Sequence, residues 1–206
     1  MTVEKLPLGA LPTNCYIVKN GDDAVIIDPA DNHVRTAQLF NECKSVRVFL
    51  THGHFDHTQG VAKLSKLGAK VYIHKEDTDL LASSRLSMAD YFGFSHIPST
   101  ADYTFCDGER FPFGNTEIEV IHTPGHTKGS CCFIIGDALF SGDTVFRGSV
   151  GRTDTYGGDG AALFESLKKI KSLRQNYKIY PGHGPVSSLD YEKQHNVFMM
   201  QENYGL

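Results

Sequence analysis

The sequence predicts an α/β fold in which two mixed β-sheets are flanked by helices. Short apolar runs of strand length alternate with segments whose apolar residues recur at helical spacing. The strands come in clusters with helices between them, and each helix has one apolar face that could cover a sheet. The length of 206 residues corresponds to a single domain, 1–206, large enough to build a core without disulfides.

The first half of the chain predicts strands connected by helices. The turn Asn20-Gly21-Asp22 joins the first two strands, and Val61, Leu64 and Leu67 form the apolar face of one helix. The predicted strands are 14–19, 24–28, 46–50 and 70–74, and the predicted helices are 33–44, 58–67 and 76–82. Segment 83–102 shows no clear period, so we expect a long loop with one helical turn at most. Long loops in compact domains are often functional.

The second half predicts a further set of strands closed by two helices. The predicted strands are 110–113, 117–122, 129–135, 138–140 and 178–180, and the predicted helices are 160–173 and 190–201. Cys131 and Cys132 are neighbours in a strand, so their side chains should point to opposite faces of the sheet. The chain has 5 cysteines and no C-x-x-C motif, which favours reduced thiols in a cytosolic protein.

Composition excludes several classes of function. The formal net charge is -4 and there is no basic block, so a nucleic-acid partner is not expected. The longest unbroken apolar run, 131–135, is far shorter than a membrane span, so no membrane partner is expected either. The N-terminal segment 1–9 lacks the apolar stretch of a signal peptide, which favours a cytoplasmic location.

The segment Thr51-His52-Gly53-His54-Phe55-Asp56-His57 carries the strongest chemical signal. It concentrates three histidines and one aspartate directly after a predicted strand. His52 and His54, two positions apart, can bind one ion from an extended loop. Asp56 and His57 lie where the next helix begins and can face a second ion. Neutral imidazole together with carboxylate suits Zn²⁺, Fe²⁺ or Mn²⁺.

Three further segments share one design, in which a glycine turn at the end of an apolar run is followed by a residue of metal-ligand type. These residues are His126, Asp143 and His183. Glycine next to each of them lets the backbone approach the site closely. Strand ends that deliver histidine and aspartate to one edge of the sheets predict a metal cleft. The other histidines, at positions 33, 74, 96, 122 and 195, are expected to be structural.

The series HxHxDH, GH, GD and GH resembles the metallo-β-lactamase superfamily over residues 8–184. The resemblance implies an αβ/βα sandwich with the metal ions at one edge of the two sheets. It implies that His52, His54 and His126 hold one ion, that Asp56, His57 and His183 hold the other, and that Asp143 bridges them.

The same resemblance implies two divalent ions per chain, with zinc favoured over iron or manganese. A hydroxide bridging the two ions would be the nucleophile, held near Asp56, the predicted catalytic residue.

The tetrad Gly151-Arg152-Thr153-Asp154 resembles the glyoxalase II-like branch of hydroxyacylglutathione hydrolases and the related persulfide dioxygenases. It implies hydrolysis of small thioesters or esters, with Arg152, Asp154 and Tyr156 binding substrate. Arg152 could bind a substrate carboxylate or pair with Asp154. Only one helix fits after His183, so we expect a short form without the C-terminal helical domain that completes the glutathione site of glyoxalase II.

Alternative functions use the same residues. A mononuclear iron persulfide dioxygenase would need only His52, His126 and Asp143. A lactonase shares the full ligand set but has no support from the Gly151–Asp154 tetrad. A class B β-lactamase is disfavoured because position 143 is Asp, where those enzymes place Cys. A small-molecule substrate is the expected partner, and the sequence leaves the oligomeric state open.

Overall fold

The computed structural model describes residues 1–201. Its strands are β1 Thr2–Leu8, β2 Thr13–Asn20, β3 Asp23–Ile27, β4 Ser45–Phe49, β5 Lys70–His74, β6 Tyr103–Phe105, β7 Arg110–Phe113, β8 Thr116–His122, β9 Cys131–Ile135, β10 Ala138–Gly142, β11 Val145–Phe146, β12 Ser149–Val150, β13 Lys178–Pro181 and β14 Ser187–Ser188. Its helices are α1 Val34–Glu42, α2 Phe55–Thr58, α3 Val61–Lys66, α4 Thr78–Ala82, α5 Ala89–Phe92, α6 Gly160–Lys171, α7 Leu189–His195 and α8 Val197–Met200.

The strands form two 6-stranded mixed sheets and one small ribbon. The first sheet has the order β1-β2-β3-β4-β5-β6, and the strands from β3 to β6 run parallel. The second has the order β14-β13-β10-β9-β8-β7, with β10 and β13 as its parallel pair. Strands β11 and β12 pair separately as an antiparallel ribbon. The predicted fold class, two mixed sheets flanked by helices, is confirmed.

The buried side chains separate into three layers, because both faces of each sheet are covered. Leu39, Leu64 and Leu81 pack helices on the outer face of the first sheet. An aromatic-rich layer, which includes Tyr16 and Phe49, lies between the two sheets. The third layer packs α6 and α7 on the outer face of the second sheet and consists of Ile121, Cys132, Ile134, Leu139, Val145, Leu163, Leu167, Ile170, Ile179, Leu189 and Met199.

The neighbouring cysteines of β9 show the alternation expected of a strand. Cys131 lies in the layer between the sheets, whereas Cys132 packs against the outer helices. All 5 cysteines are free thiols, as the sequence predicts.

Several predicted boundaries change in the structure. Strand β1 was not predicted because its charged residues and Pro7 obscure the alternation; these features are typical of an edge strand. Strand β6 and the short strands β11, β12 and β14 were also missed. The predicted helix 58–67 is preceded by the separate one-turn helix α2, which carries Asp56 and His57.

The last predicted helix is two helices, α7 and α8. Asn196 has an extended backbone (φ -81°, ψ 109°), and its side chain accepts the N–H of Phe198. Asn196 therefore ends α7 and caps the N-terminus of α8. Within residues 1–201, no helix is both long and apolar enough to cross a membrane.

Candidate metal centre

The first ligand loop, residues 51–57, follows β4 and is held at both ends by Asp28. The carboxylate of Asp28 accepts the backbone N–H of Thr51 at 2.8 Å and its hydroxyl at 2.6 Å. The same carboxylate lies 2.9 Å from Nδ1 of His57. Asp28 has a positive φ of 51°, a conformation in which Asp is better tolerated than most residues. One buried side chain therefore anchors the first and the last residue of the loop.

Besides His57, two further ligand histidines have Nδ1 bonded to the protein, which directs their other ring nitrogen. Nδ1 of His52 lies 3.1 Å from the hydroxyl of Thr51. Nδ1 of His126 donates to the carbonyl oxygen of Arg152 at 2.7 Å. A hydrogen bond of this kind fixes the ring orientation and the tautomer of a metal ligand. The Nε2 atoms of both rings are thereby directed towards the centre, where Nε2 of His126 lies 2.9 Å from Nδ1 of His54.

Glycine allows the turns that carry Asp143 and His183 to meet. The N–H of Gly182 donates to the carbonyl of Gly142 at 2.8 Å. A Cβ on residue 182 would lie 2.2 Å from Oδ1 of Asp143 and 2.8 Å from Cε1 of His57. Only glycine fits at this position, as the spacing of glycine next to each ligand predicts.

The structure brings all seven predicted ligand residues to one edge of the two sheets. They form three groups whose possible ligand atoms lie within 4.8 Å of one another. These groups are His52, His54 and His126; His52, His57 and Asp143; and Asp56, His57 and His183.

Asp143 lies between the two outer groups. Its carboxylate oxygens are 3.5 Å from Nε2 of His57 and 3.5 Å from Nε2 of His126. They are 3.6 Å from Nε2 of His183. The position suits the bridging role that the resemblance implies.

The chemistry of this cluster fits divalent metal ions. Nε2 of His52, His54 and His57 and Oδ1 of Asp143 are buried and have no hydrogen-bond partner within residues 1–201. Unpaired buried polar atoms are uncommon in folded proteins and need an explanation. Imidazole nitrogens and carboxylate oxygens that converge without partners match the donor set of zinc or iron.

Electrostatics favour the metal-binding forms of His52, His54 and Asp56. Burial, reinforced by the neighbouring histidines, lowers the pKa of His52 well below its usual value. Burial likewise lowers the pKa of His54. Burial opposes ionisation of Asp56, but the positive charge of His57 and a hydrogen bond from His183 outweigh it and hold the pKa of Asp56 low. His52 and His54 therefore present neutral imidazoles near the ionised carboxylate of Asp56.

His57 shows that this part of the centre attracts positive charge. Burial disfavours its charged form, but the carboxylates of Asp56, Asp143 and Asp28 outweigh burial and raise the pKa of His57 to about 10. The same carboxylates would stabilise a metal cation.

Asp77 is a buried carboxylate that connects two ligand loops and that the motif analysis missed. It accepts the backbone N–H of Gly53 at 2.9 Å and that of Gly129 at 2.7 Å. It also accepts the hydroxyl of Thr127 at 2.7 Å. Burial raises its pKa, although these three donors act in the opposite direction. Asp77 comes shortly after β5 but has no neighbouring glycine, so the pattern of a glycine turn followed by a ligand-type residue could not find it.

Asp28 was also missed, although a signal was present. It is the last residue of the predicted strand 24–28 and directly follows an apolar run. The predicted ligand residues also follow apolar runs, so the same signal could have located Asp28.

The predicted substrate-binding residues separate in the structure. The guanidinium of Arg152 donates to both carboxylate oxygens of Asp154, at 2.6 and 2.8 Å. Arg152 lines the cleft above the ligand cluster, whereas Tyr156 lies outside that lining, in a small pocket with Glu76 and Lys128. Of the two possibilities for Arg152, the structure shows the pairing with Asp154.

Each of the other histidines has a structural contact. His33 caps the N-terminus of α1, and the rings of His74 and His122 stack with centroids 4.0 Å apart. His96 lies 2.9 Å from the carbonyl of Leu81, and the ring of His195 stacks on that of Tyr191. These contacts match the structural roles expected from the sequence.

The cleft above the ligand cluster has a volume of about 430 Å³. It is lined by Leu11, His54, Phe55, Asp56, Met88, Phe92, His126, Asp143, Phe146, Ser149, Val150, Arg152, Thr155 and His183. Segment 83–102, predicted as a loop, contributes Met88 and Phe92 to this lining, and Phe92 belongs to the short helix α5.

Known proteins share this architecture along nearly the whole chain. Hydroxyacylglutathione hydrolase GloC of Haemophilus influenzae is 32% identical, covering 97% of this chain and 98% of its own length. The B3 metallo-beta-lactamase BLEG-1 superposes with a TM-score of 0.89 at 32% identity, covering 97% of this chain and 100% of its own. The di-iron-bound form of TTHA1623 superposes with a TM-score of 0.84 at 38% identity, covering 95% and 99%.

A family model agrees with these similarities and with the position of the ligand cluster. The description of that model is Metallo-beta-lactamase superfamily, and it matches residues 8–183, a range that contains all seven candidate ligands. On this match, and on the fold and the converging histidines and aspartates, the chain belongs to the metallo-beta-lactamase superfamily.

Proposed function

We propose that the protein is a dinuclear metal-dependent hydrolase of small thioesters or esters. The observation that carries this proposal is the convergence of seven ligand-type side chains in which four buried donor atoms have no partner within residues 1–201. Two groups of three ligands with Asp143 between them suit a pair of ions, with zinc favoured and iron or manganese as the other candidates.

The residues of the chain would divide the work of hydrolysis. When bound, two divalent ions supply a lowered pKa for water and polarise a carbonyl oxygen. His52, His54 and His126 would hold one ion, and Asp56, His57 and His183 would hold the other. The hydroxyl of Thr13 donates to Oδ2 of Asp56 at 2.9 Å, which leaves Oδ1 of Asp56 to orient the attacking water. Because the pKa of Asp56 is held low, this group stays a hydrogen-bond acceptor.

Relatives support a hydrolase. The name of GloC, a hydroxyacylglutathione hydrolase, supports a thioester substrate. The probable polyketide biosynthesis hydrolase PksB of Bacillus subtilis, 30% identical, is named as zinc-dependent, whereas TTHA1623 is described in a di-iron-bound form. The metal therefore has to be identified on the protein itself.

Two alternatives have specific support. A mononuclear iron dioxygenase would use His52, His126 and Asp143, and all three are present. The name of BLEG-1 makes β-lactam hydrolysis a second alternative. We favour the thioesterase over the dioxygenase because Asp56, His57 and His183 complete a second set of ligands, which a mononuclear site would not require.

Metal analysis combined with a substrate panel tests the proposal. The protein, purified without added metal and then loaded with Zn²⁺, Fe²⁺ or Mn²⁺, is assayed against S-D-lactoylglutathione, an uncharged thioester and a β-lactam. We expect about two ions per chain and hydrolysis of the thioesters. A persulfide is assayed in parallel, and consumption of O₂ with this substrate by a protein that holds one iron per chain would replace the hydrolase with the dioxygenase. Turnover of the β-lactam alone would favour the lactamase.

A further inference from the structure

The cleft above the candidate metal centre has an apolar side. Phe55, Met88 and Phe92 line it next to the first ligand loop, and Leu11, Phe146 and Val150 complete the apolar lining. We call Phe55, Met88 and Phe92 the acyl wall. Phe55 lies between His54 and Asp56 in sequence, so the wall is continuous with the centre.

The acyl wall is held in place by the rest of the chain. The backbone N–H of Phe55 donates to the carbonyl of Ser87 at 3.0 Å, which ties segment 83–102 to the first ligand loop. The ring of Phe55 stacks on that of Phe94, with centroids 5.2 Å apart, and lies 6.0 Å from that of Phe92. Both rings of the segment remain partly exposed, Phe92 by 40% and Phe94 by 37%.

Met88 has a backbone conformation that residues other than glycine rarely adopt. Its φ is 71°, in the left-handed region, and its side chain lines the cleft. Such strain persists only where the surroundings enforce it, and it tends to occur at ligand-binding positions. Here the carbonyl of the preceding residue, Ser87, accepts the N–H of Phe55 and fixes the chain just before Met88.

The guanidinium of Arg152, in the same lining, already has a partner. Arg152 donates two hydrogen bonds to Asp154, so a substrate carboxylate would have to compete with Asp154 for its guanidinium. Phe55 is only 4% exposed, so the surface of the wall that faces water belongs to Met88 and Phe92. A substrate that offered only charged groups would leave these two side chains in contact with water. An apolar group placed against them would remove that surface from water.

We infer that the substrate of the proposed hydrolase carries an apolar acyl chain, which binds against the acyl wall while its carbonyl faces the metal centre. This inference rests on the proposed function and adds the class of acyl group. Selectivity then comes from the number of buried methylenes.

A series of thioesters that differ only in acyl length tests the inference. Acetyl, butyryl and hexanoyl thioesters of N-acetylcysteamine share one uncharged thiol. Each methylene that becomes buried raises kcat/KM about threefold to fourfold. We expect the hexanoyl thioester to exceed the acetyl thioester by at least about tenfold, since some methylenes stay in contact with water. Equal values for the two, with both hydrolysed, would overturn the inference and leave the proposed function intact.

Two variants locate the preference. Phe92→Ala should reduce the ratio of hexanoyl to acetyl kcat/KM by about tenfold. Ile97→Ala is the matched control, because Ile97 is 45% exposed in the same segment and lies outside the lining. Met88→Gly should also reduce the ratio, while its melting temperature stays the same or rises because glycine relieves the positive φ. A ratio unchanged in both wall variants would show that the acyl chain binds elsewhere.

If no thioester is hydrolysed, the proposed function is refuted but the acyl wall is not yet tested. A binding measurement then tests the acyl wall separately. Hexanoate and acetate each carry a single carboxylate and differ only in the length of the alkyl chain. The difference between their effects on the melting temperature of the metal-loaded protein therefore measures the contribution of the alkyl chain. We expect a larger increase with hexanoate, and Phe92→Ala should abolish the difference. Equal increases for the two acids in the wild-type protein would refute the acyl wall.

Discussion

The hydroxyl of Thr127 donates to the buried carboxylate of Asp77 at 2.7 Å. Because Asp77 also accepts the N–H of Gly53, a single side chain joins the loop that carries His52 and His54 to the loop that carries His126. The three histidines of one proposed metal site thus depend on a residue that touches none of the proposed ions.

Asp77→Asn should weaken that metal site and the fold together. In the wild type, Oδ1 of Asp77 accepts the backbone N–H of Gly129 and Oδ2 accepts that of Gly53. Either orientation of the asparagine amide would therefore direct its NH₂ group at a backbone N–H. The expected loss is about 1–3 kcal/mol of unfolding free energy, measured by urea titration, with reduced metal content by mass spectrometry. The control is Asp79→Asn, an exposed residue of the adjacent helix α4. Identical metal content in Asp77→Asn and the wild type would show that the connection is dispensable.

Asp143→Ala should lose more metal than His183→Ala. The carboxylate oxygens of Asp143 lie within 3.6 Å of Nε2 of His57, His126 and His183, which are proposed ligands of both ions, whereas His183 would bind one ion only. A bound ion stabilises the folded state by mass action, so Asp143→Ala should also show the larger decrease in melting temperature when metal is in excess. Equal metal loss and equal melting for the two variants would argue that Asp143 is not shared between the ions.

Gly182→Ala should abolish metal binding at both proposed sites. The new methyl carbon would overlap Oδ1 of Asp143, at 2.2 Å, and the ring of His57, at 2.8 Å. Gly184→Ala separates this overlap from backbone strain, because residue 184 has a positive φ of 77° but no atom within 4 Å of its Cβ position. Metal content measured on both proteins should fall only for Gly182→Ala.

Stability should decrease in mild acid through His74, which lies outside the metal centre. Burial, together with His122 and Lys75, lowers the pKa of His74 from 6.5 to about 4. The unfolded chain therefore binds more protons between these two values. The contribution of neutral His74 is complete above pH 6.5 and is lost as the pH falls towards 4.

His74→Asn should flatten this pH dependence by about 2–3 kcal/mol between pH 4 and 6.5. Asparagine keeps an acceptor near the N–H of Glu76, which His74 accepts at 3.3 Å. The metal ligands titrate in both proteins, so the informative quantity is the difference between the wild-type and variant curves of unfolding free energy against pH. His195→Asn, at an exposed position, should follow the wild-type curve. Parallel curves for His74→Asn and the wild type would exclude His74 as the titrating group.

Asp154→Asn should improve the use of substrates that carry a carboxylate. The change releases the guanidinium of Arg152 from its paired hydrogen bonds, while Arg152 stays in the lining of the cleft. We expect a lower KM for S-D-lactoylglutathione and little change for an uncharged thioester of N-acetylcysteamine. Arg152→Ala should affect both substrates alike, because its charge is already paired in the wild type. A selective increase in KM for lactoylglutathione in Arg152→Ala would instead place Arg152 on the substrate.

Sequence alone predicted the two mixed sheets flanked by helices and all seven residues that meet at the sheet edge. These features depend on local information: hydrophobic period, glycine turns and the position of His or Asp after a strand. The edge strand β1 escaped prediction because Pro7 and its charged residues hide the period, and its existence depends on pairing with β2.

Only the tertiary structure decided which remote side chains support and surround the centre. Asp28 binds Thr51 and His57, and Asp77 binds Gly53 and Thr127, through hydrogen bonds that span 23 to 50 positions of the chain. No local pattern encodes such contacts, because they exist only after the sheets have packed and the buried polar groups have found partners. For the same reason Leu11, Met88 and Phe146 became the lining of one cleft only when the folded chain brought three distant segments together.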